Sequence, residues 1–313
     1  MAKTHTLEER LEALNALRSE PSSERTASEL QAALASKANA LVARAAEIAG
    51  EFLLESLEVP LTKAFERFMV NPTKTDKGCL AKTAIVDALY RMESPRTEVY
   101  LEGIHHVQME PVWGGREDTA PHLRGVSALA LVRANYPQVL LELAQLLADP
   151  QPEARVMAAR AIGYTGADAG IPLLRFKALV GDAHPQVLCE CFGALLKLDP
   201  EPGLSFVAGF LQHDSQPLRE AAAVALGESR LVQAFHFLEA AWEDSFDPEL
   251  RQTLLVAMAM LHQERAFALL LTMIGEGPAV HARSALRAME MYRGDVTLWS
   301  RVRAALDSRT SPL

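Results

Sequence analysis

The chain has 313 residues, with 31 Lys and Arg against 40 Asp and Glu and a formal charge of −9. No stretch gathers cations densely enough for the counterion-releasing groove of a nucleic-acid binder, and no apolar run approaches the roughly 20 residues of a membrane-spanning helix, so neither nucleic acid nor membrane is expected as a partner. Hydrophobic residues make up 49%, charged residues 23% and aromatics only 6%, a balance that favours closely packed helices over sheets.

Cys79, Cys189 and Cys191 form an odd set without zinc-ligand spacing, and reduced thiols are the simplest reading. The opening Met1 to Thr6 runs into a charged helix and lacks the apolar core of a signal peptide, which points to the cytoplasm.

In chain order, Thr6-Leu7-Glu8-Glu9 reads as a capping box, followed by leucines at 7, 11, 14 and 17 with helical spacing. Residues 1–22 are expected to form a short helix that caps the open end of the helical array. Residues 24–69 read as helical with a break near Pro60. Asn71 to Gly78 is a polar turn, and helices are expected over 80–92 and 97–107. Together, residues 23–107 make a degenerate repeat region. Lys82 and Arg124 hold similar places in their helices but lie 42 residues apart rather than about 32, so some ten residues loop out between them. The inserted loop is placed at 108–122.

Beyond it the chain repeats. Asp149 to Pro152, Asp182 to Pro185 and Asp214 to Pro217 each place Asp and Pro three residues apart; Pro248 and Pro278 continue the series. Successive prolines lie 33, 32, 31 and 30 residues apart, the range of two-helix repeats. The expected pairs are 123–134 with 137–148, 151–163 with 168–180, 185–197 with 200–212, 216–227 with 230–243, 248–261 with 263–274, and 278–291 with 295–306. Asp accepts bonds from the orphan N–H groups at a helix start and Pro presets φ in the first turn. Alanines such as Ala158, Ala159 and Ala161 permit close approach between helices. Gly163 and Gly227 are expected to end their helices in a left-handed conformation. Regular repeats thus fill 123–306, and 307–313 is expected to be a flexible tail.

The Asp-x-x-Pro turn, the Arg two or three residues later, the Ala-rich first helix and its Gly resemble HEAT-like repeats, particularly the bacterial set named for phycobilisome lyases. The likeness is strong over 123–306 and weak over 37–107. The Arg position is filled by Arg155, Arg219 and Arg251 and becomes Leu188 and His281 elsewhere. The resemblance implies an all-α solenoid used as scaffold or adaptor, with second helices lining a concave binding face. Iron-dependent deoxyhypusine hydroxylases of this fold use His-Glu dipeptides, and none of the nine histidines here precedes Glu. The alkylpurine glycosylases of the fold need a basic, aromatic groove that this acidic chain lacks.

The recurrent arginines read as scaffold parts, each stem packed across a repeat junction. The insertion reads differently. Trp113 with Arg116 resembles an interface anchor, while a loop folded back with Trp113 buried as a plug is the structural alternative. His105, His106, Glu110, Asp118 and His122 invite a metal, but adjacent helical histidines diverge by about 100°, so neither metal nor cofactor is expected. No Ser-His-Asp, Cys-His or phosphate-loop pattern supplies a catalytic residue. The expected partner-binding set is Glu102, His106, Glu110, Trp113, Arg116, Asp118, Glu142, Arg175, Lys177 and His236. The chain reads as a non-catalytic adaptor for a protein or peptide, the alternative being a bilin-lyase-like or chaperone-like subunit handling a chromophore or modified protein.

Overall fold

The computed structural model describes residues 6–309. The opening residues 1–5 and the tail from 310 lie outside that span. The chain divides into two compact units, Met1–Tyr164 and Thr165–Leu313, and both have the all-α repeat architecture of the solenoid class.

The first unit runs α1 (Leu7–Ala16), α2 (Glu24–Leu34), α3 (Asn39–Glu51), α4 (Glu58–Met69), α5 (Pro72–Thr75), α6 (Leu80–Arg91) and α7 (Thr97–Ile104). A hairpin of β1 (Met109–Val112) and β2 (Gly115–Asp118) follows, then α8 (Pro121–Arg133), α9 (Val139–Leu146) and α10 (Pro152–Thr165). The capping box at Thr6 forms as read from the sequence, with side chain and backbone of Thr6 and Glu9 bonded reciprocally. Helices α3, α6 and α8 stack on one another to make the close-packed layer of this unit. Their spacing is set by missing side chains: a Cβ on Gly50 would sit 2.8 Å from the Ala88 Cα, and one on Gly125 2.6 Å from the Met157 Cγ.

The second unit contains α11 (Ile171–Val180), α12 (Pro185–Leu198), α13 (Pro200–Gly209), α14 (Gln216–Ser229), α15 (Ala234–Asp244), α16 (Pro248–Met260), α17 (Glu264–Glu276), α18 (Ala279–Met289) and α19 (Val296–Asp307). Alternate helices α12, α14, α16 and α18 stack directly, burying Ala222, Ala223, Ala225, Ala257, Ala259 and Ala285 between Leu226, Leu254 and Met258. Proline stands in the first turn of α12, α13, α14 and α16, where its missing N–H has no helical partner to lose. No helix among the described residues is long and apolar enough to cross a membrane.

Several expectations need correction. Gly163 and Gly227 lie inside their helices; the positive φ falls later, at Gly166 (65°) and Arg230 (54°). Gly227 is required for approach instead, since a Cβ there would lie 2.6 Å from the Ala257 carbonyl oxygen and 2.8 Å from its Cα. The break expected at Pro60 occurs earlier, through the left-handed Leu53, and Pro60 sits in the first turn of α4. Helix α7 ends at Ile104, short of 107. Asp149 and Asp182 accept from the N–H two residues on, closing a turn ahead of the helix. The tail is held further than foreseen: α19 runs to Asp307, and Arg309 donates to the carbonyls of Ile274 and Gly277.

Candidate recognition hairpin

The surplus residues between Lys82 and Arg124 form a two-stranded antiparallel hairpin where an irregular loop was expected. Met109 pairs with Asp118, Glu110 with Glu117, Pro111 with Arg116 and Val112 with Gly115. Trp113 and Gly114 make the turn. Gly114 has φ of 90°, which only glycine adopts without strain. Trp113, at the tip, is 103% exposed. The buried-plug alternative is therefore wrong.

The base of the hairpin, at Gln108 and Asp118, is buried and heavily bonded. Arg124 lies 2.8 Å from Asp118 and 2.8 Å from Asp149, and donates to the His106 carbonyl at 2.9 Å. The second oxygen of Asp118 accepts from the N–H groups of Gln108 and Ala120. Burial pushes the Asp118 carboxyl up, but those bonds and Arg124 outweigh it and hold the group below the usual carboxylate range. On the other leg, Lys82 is fully buried, 3.0 Å from Asp76 and 2.8 Å from the Gln108 side-chain oxygen. Asp76 also accepts from the N–H groups of Ala81 and Lys82. The Gln108 amide nitrogen donates to the Asp76 carbonyl at 2.7 Å and to Glu110 at 2.6 Å.

Glu110 and His106 complete this network. Glu110 accepts from Gln108, from the Gly78 N–H and from Thr119; burial raises its carboxyl, yet these donors leave it lowered. His106 contacts the Gln108 oxygen at 3.1 Å through Nε2. Its partial burial lowers its proton affinity. Because the Gln108 oxygen accepts from Lys82, Nε2 of His106 is assigned as the protonated nitrogen.

The structure thus divides the expected partner-binding set. Trp113 and Arg116 are exposed on the hairpin, and Glu102 is exposed on α7. Asp118 is buried and committed to Arg124, so it is a structural residue. It belongs to the repeat itself: Asp118-Thr119-Ala120-Pro121 is another Asp-x-x-Pro turn, with Pro121 31 residues before Pro152. The hairpin strands span Met109 to Asp118, within the 108–122 loop. His106 and Glu110 brace the hairpin from within. Glu142 on α9 is partly buried and pairs with His105 at 2.8 Å. Among the described residues no group of three His, Cys, Asp or Glu side chains converges as a metal would need.

In the second unit Arg175 stacks over Phe206 at 4.4 Å and Lys177 pairs with Asp182 at 2.8 Å. His236 is exposed and 3.2 Å from Arg265. Phe176, Leu179 and Val180 on the same α11 are 68%, 70% and 67% exposed. The recurrent arginines pack as expected of scaffold: Arg155 donates to the carbonyls of Asp149 and Pro150, and Arg251 covers Trp242 at 4.7 Å. Desolvation pushes the thiols up, Cys79 to about 11 and Cys189 and Cys191 to about 12, which suppresses their thiolates.

Sequence reasoning missed Asp76, Lys82 and Gln108 as one buried network. A signal was present. Asp76 and Lys82 are six residues apart, as are Asp118 and Arg124, and Asp149 and Arg155.

Residues 174–259 match the sequence profile of HEAT repeats, whereas no curated protein matches the chain. Among solved structures the chain is similar to the complex of CpcE and CpcF of phycocyanin lyase from Nostoc sp. PCC7120, with 16% identity, 75% of this chain and 91% of that chain covered, and a TM-score of 0.39. It is similar to human deoxyhypusine hydroxylase in complex with glycerol, with 17% identity, 92% and 97% covered, and a TM-score of 0.33. An engineered protein shares 15% identity over 99% of this chain and 97% of that chain, with a TM-score of 0.38. The profile match, over helices whose Asp-Pro turns and Ala-rich faces are described above, identifies residues 174–259 as HEAT repeats.

Proposed function

We propose that the chain is a non-catalytic adaptor that binds a protein or peptide, and that the hairpin of β1 and β2 is its recognition element. The observation that carries this reading is the contrast between Trp113 and its support. A large indole stands wholly in water, which gives the fold nothing, on legs fixed by two buried ion pairs. Val107, Met109 and Val112 nearby are 58%, 37% and 45% exposed. Rigid presentation of an aromatic lowers the entropy lost on binding, and Trp with Arg dominates interface hot spots.

The experiment places a photo-crosslinking amino acid at position 113 in the native cell and, as control, at the exposed Glu201. A discrete protein adduct at 113 and none at 201 is expected. The same diffuse labelling from both positions would overturn the proposal.

A further inference from the structure

The two open edges of the hairpin are treated differently. Thr119 donates its N–H to the Gln108 carbonyl. Alternation along the antiparallel ladder then makes Glu110 with Glu117 and Val112 with Gly115 the bonded pairs. Pro111 and Arg116 form a non-bonded pair, so their backbone groups point outward, Pro111 along the free edge of β1 and Arg116 along that of β2.

On β1 that edge is closed twice. Pro111 has no N–H to offer, and the Arg116 guanidinium donates to the Met109 carbonyl at 2.8 Å. Proline and a charged side chain on an edge are the usual means of preventing strand addition. The β2 edge has no proline, and the guanidinium of its Arg116 is drawn across to the Met109 carbonyl on β1. Among the described residues the outward N–H of Arg116 has no partner.

Charge defines what fits there. Glu117 is exposed and faces Glu110 across the ladder, a like-charge pair. The carboxylate of Glu110 is turned into the buried network, while that of Glu117 has no ion-pair partner among the described residues. A strand laid along β2 would place one side chain directly opposite Glu117, about 5 Å away. A basic side chain satisfies that position, and the net charge of −9 favours the approach of a basic segment.

Resting on the hairpin as recognition element, we infer that β2 receives an extended, basic peptide segment as a third strand, paired through the backbone of Arg116, with Lys or Arg opposite Glu117 and an apolar residue against Trp113. This is strand addition, in which backbone bonds supply affinity and alternate side chains supply specificity.

Random peptides displayed on phage, selected on the full chain, provide the probe. Selected peptides are then titrated against wild type, Arg116→Val, Arg116→Pro and Trp113→Ala. The ring nitrogen in Arg116→Pro removes only an outward N–H, so the hairpin itself keeps its ladder. Peptides rich in Lys and Arg are expected, and Arg116→Val, which loses the guanidinium but keeps the outward N–H, sets the reference affinity for Arg116→Pro. Arg116→Pro should lose about tenfold or more. In wild type, peptide should slow amide exchange at Arg116, a readout independent of any variant folding. Equal affinity for the Val and Pro variants, with a loss only in Trp113→Ala, would overturn strand addition and leave the hairpin as the recognition element. Peptides indifferent to all three substitutions, or a selection that yields no peptide at the hairpin, would contradict both readings.

Discussion

The ammonium of Lys82, fully buried, lies 2.8 Å from the side-chain oxygen of Gln108, the residue at which the helical repeat gives way to the hairpin. Lys82 occupies the place in α6 that Arg124 occupies in α8. Both use a carboxylate six residues upstream, and between them they clamp the two legs of a ten-residue excursion. The cation of an ordinary repeat turn has become the anchor of a projecting element.

Removing one side of such a clamp strands the other. Lys82→Met keeps the length of the side chain but leaves Asp76 buried with only neutral donors, so unfolding free energy should fall by about 3 kcal/mol. Lys77→Met, on an exposed neighbour, should change stability by no more than about 0.5 kcal/mol. Urea unfolding of the two variants measures both, and equal stability would show that the buried pair does not hold the hairpin base.

The clamp is also acid-sensitive, with a definite sign. Asp118 and Glu110 have folded proton affinities below their ordinary values. Their contribution is therefore complete above the unfolded carboxylate range and lost as pH falls through the folded values. His106, lowered by burial, acts in the same direction from a higher pH. Melting temperature should fall on going from about pH 7 to about pH 3. Asp118→Asn should be less stable than wild type at neutral pH, and the two should converge in acid. Parallel curves would mean that the Asp118 charge contributes nothing.

Glycines at two places in the helical stack should respond in opposite ways. Gly227→Ala forces a methyl to within 2.6 Å of the Ala257 carbonyl oxygen and should cost about 1–3 kcal/mol. At Gly193, in the interior of α12, a methyl would meet nothing within 4 Å, so Gly193→Ala should gain about 0.5–1 kcal/mol from helix propensity. Thermal unfolding of both variants checks the pair. If Gly227→Ala is neutral, α14 and α16 are not as close as described.

Much of this was legible in the sequence because the repeat writes itself at fixed spacing. Asp-x-x-Pro turns and Ala-rich segments located the helices of the second unit to within a few residues at each end. The hairpin was not legible as strands, because Met109 to Val112 includes a proline and Gly115 to Asp118 has no apolar alternation. Gly227 was misread because a glycine near a helix end can serve either termination or close approach, and only the neighbouring helix decides between them. Asp118 looked like part of the insertion because its Asp-x-x-Pro pattern lies directly against it. Trp113 was open between plug and anchor, since composition cannot say which way an indole points.

Trp113, wholly exposed at the hairpin tip, is proposed to serve a partner and not the fold. The most direct test is to melt Trp113→Ala and to quantify, with the same protein, capture of the partner crosslinked at position 113. The melting temperature should stay within about two degrees of wild type, and capture should fall by an amount corresponding to about 2 kcal/mol. A melting temperature lowered by several degrees, or capture equal to wild type, would contradict it.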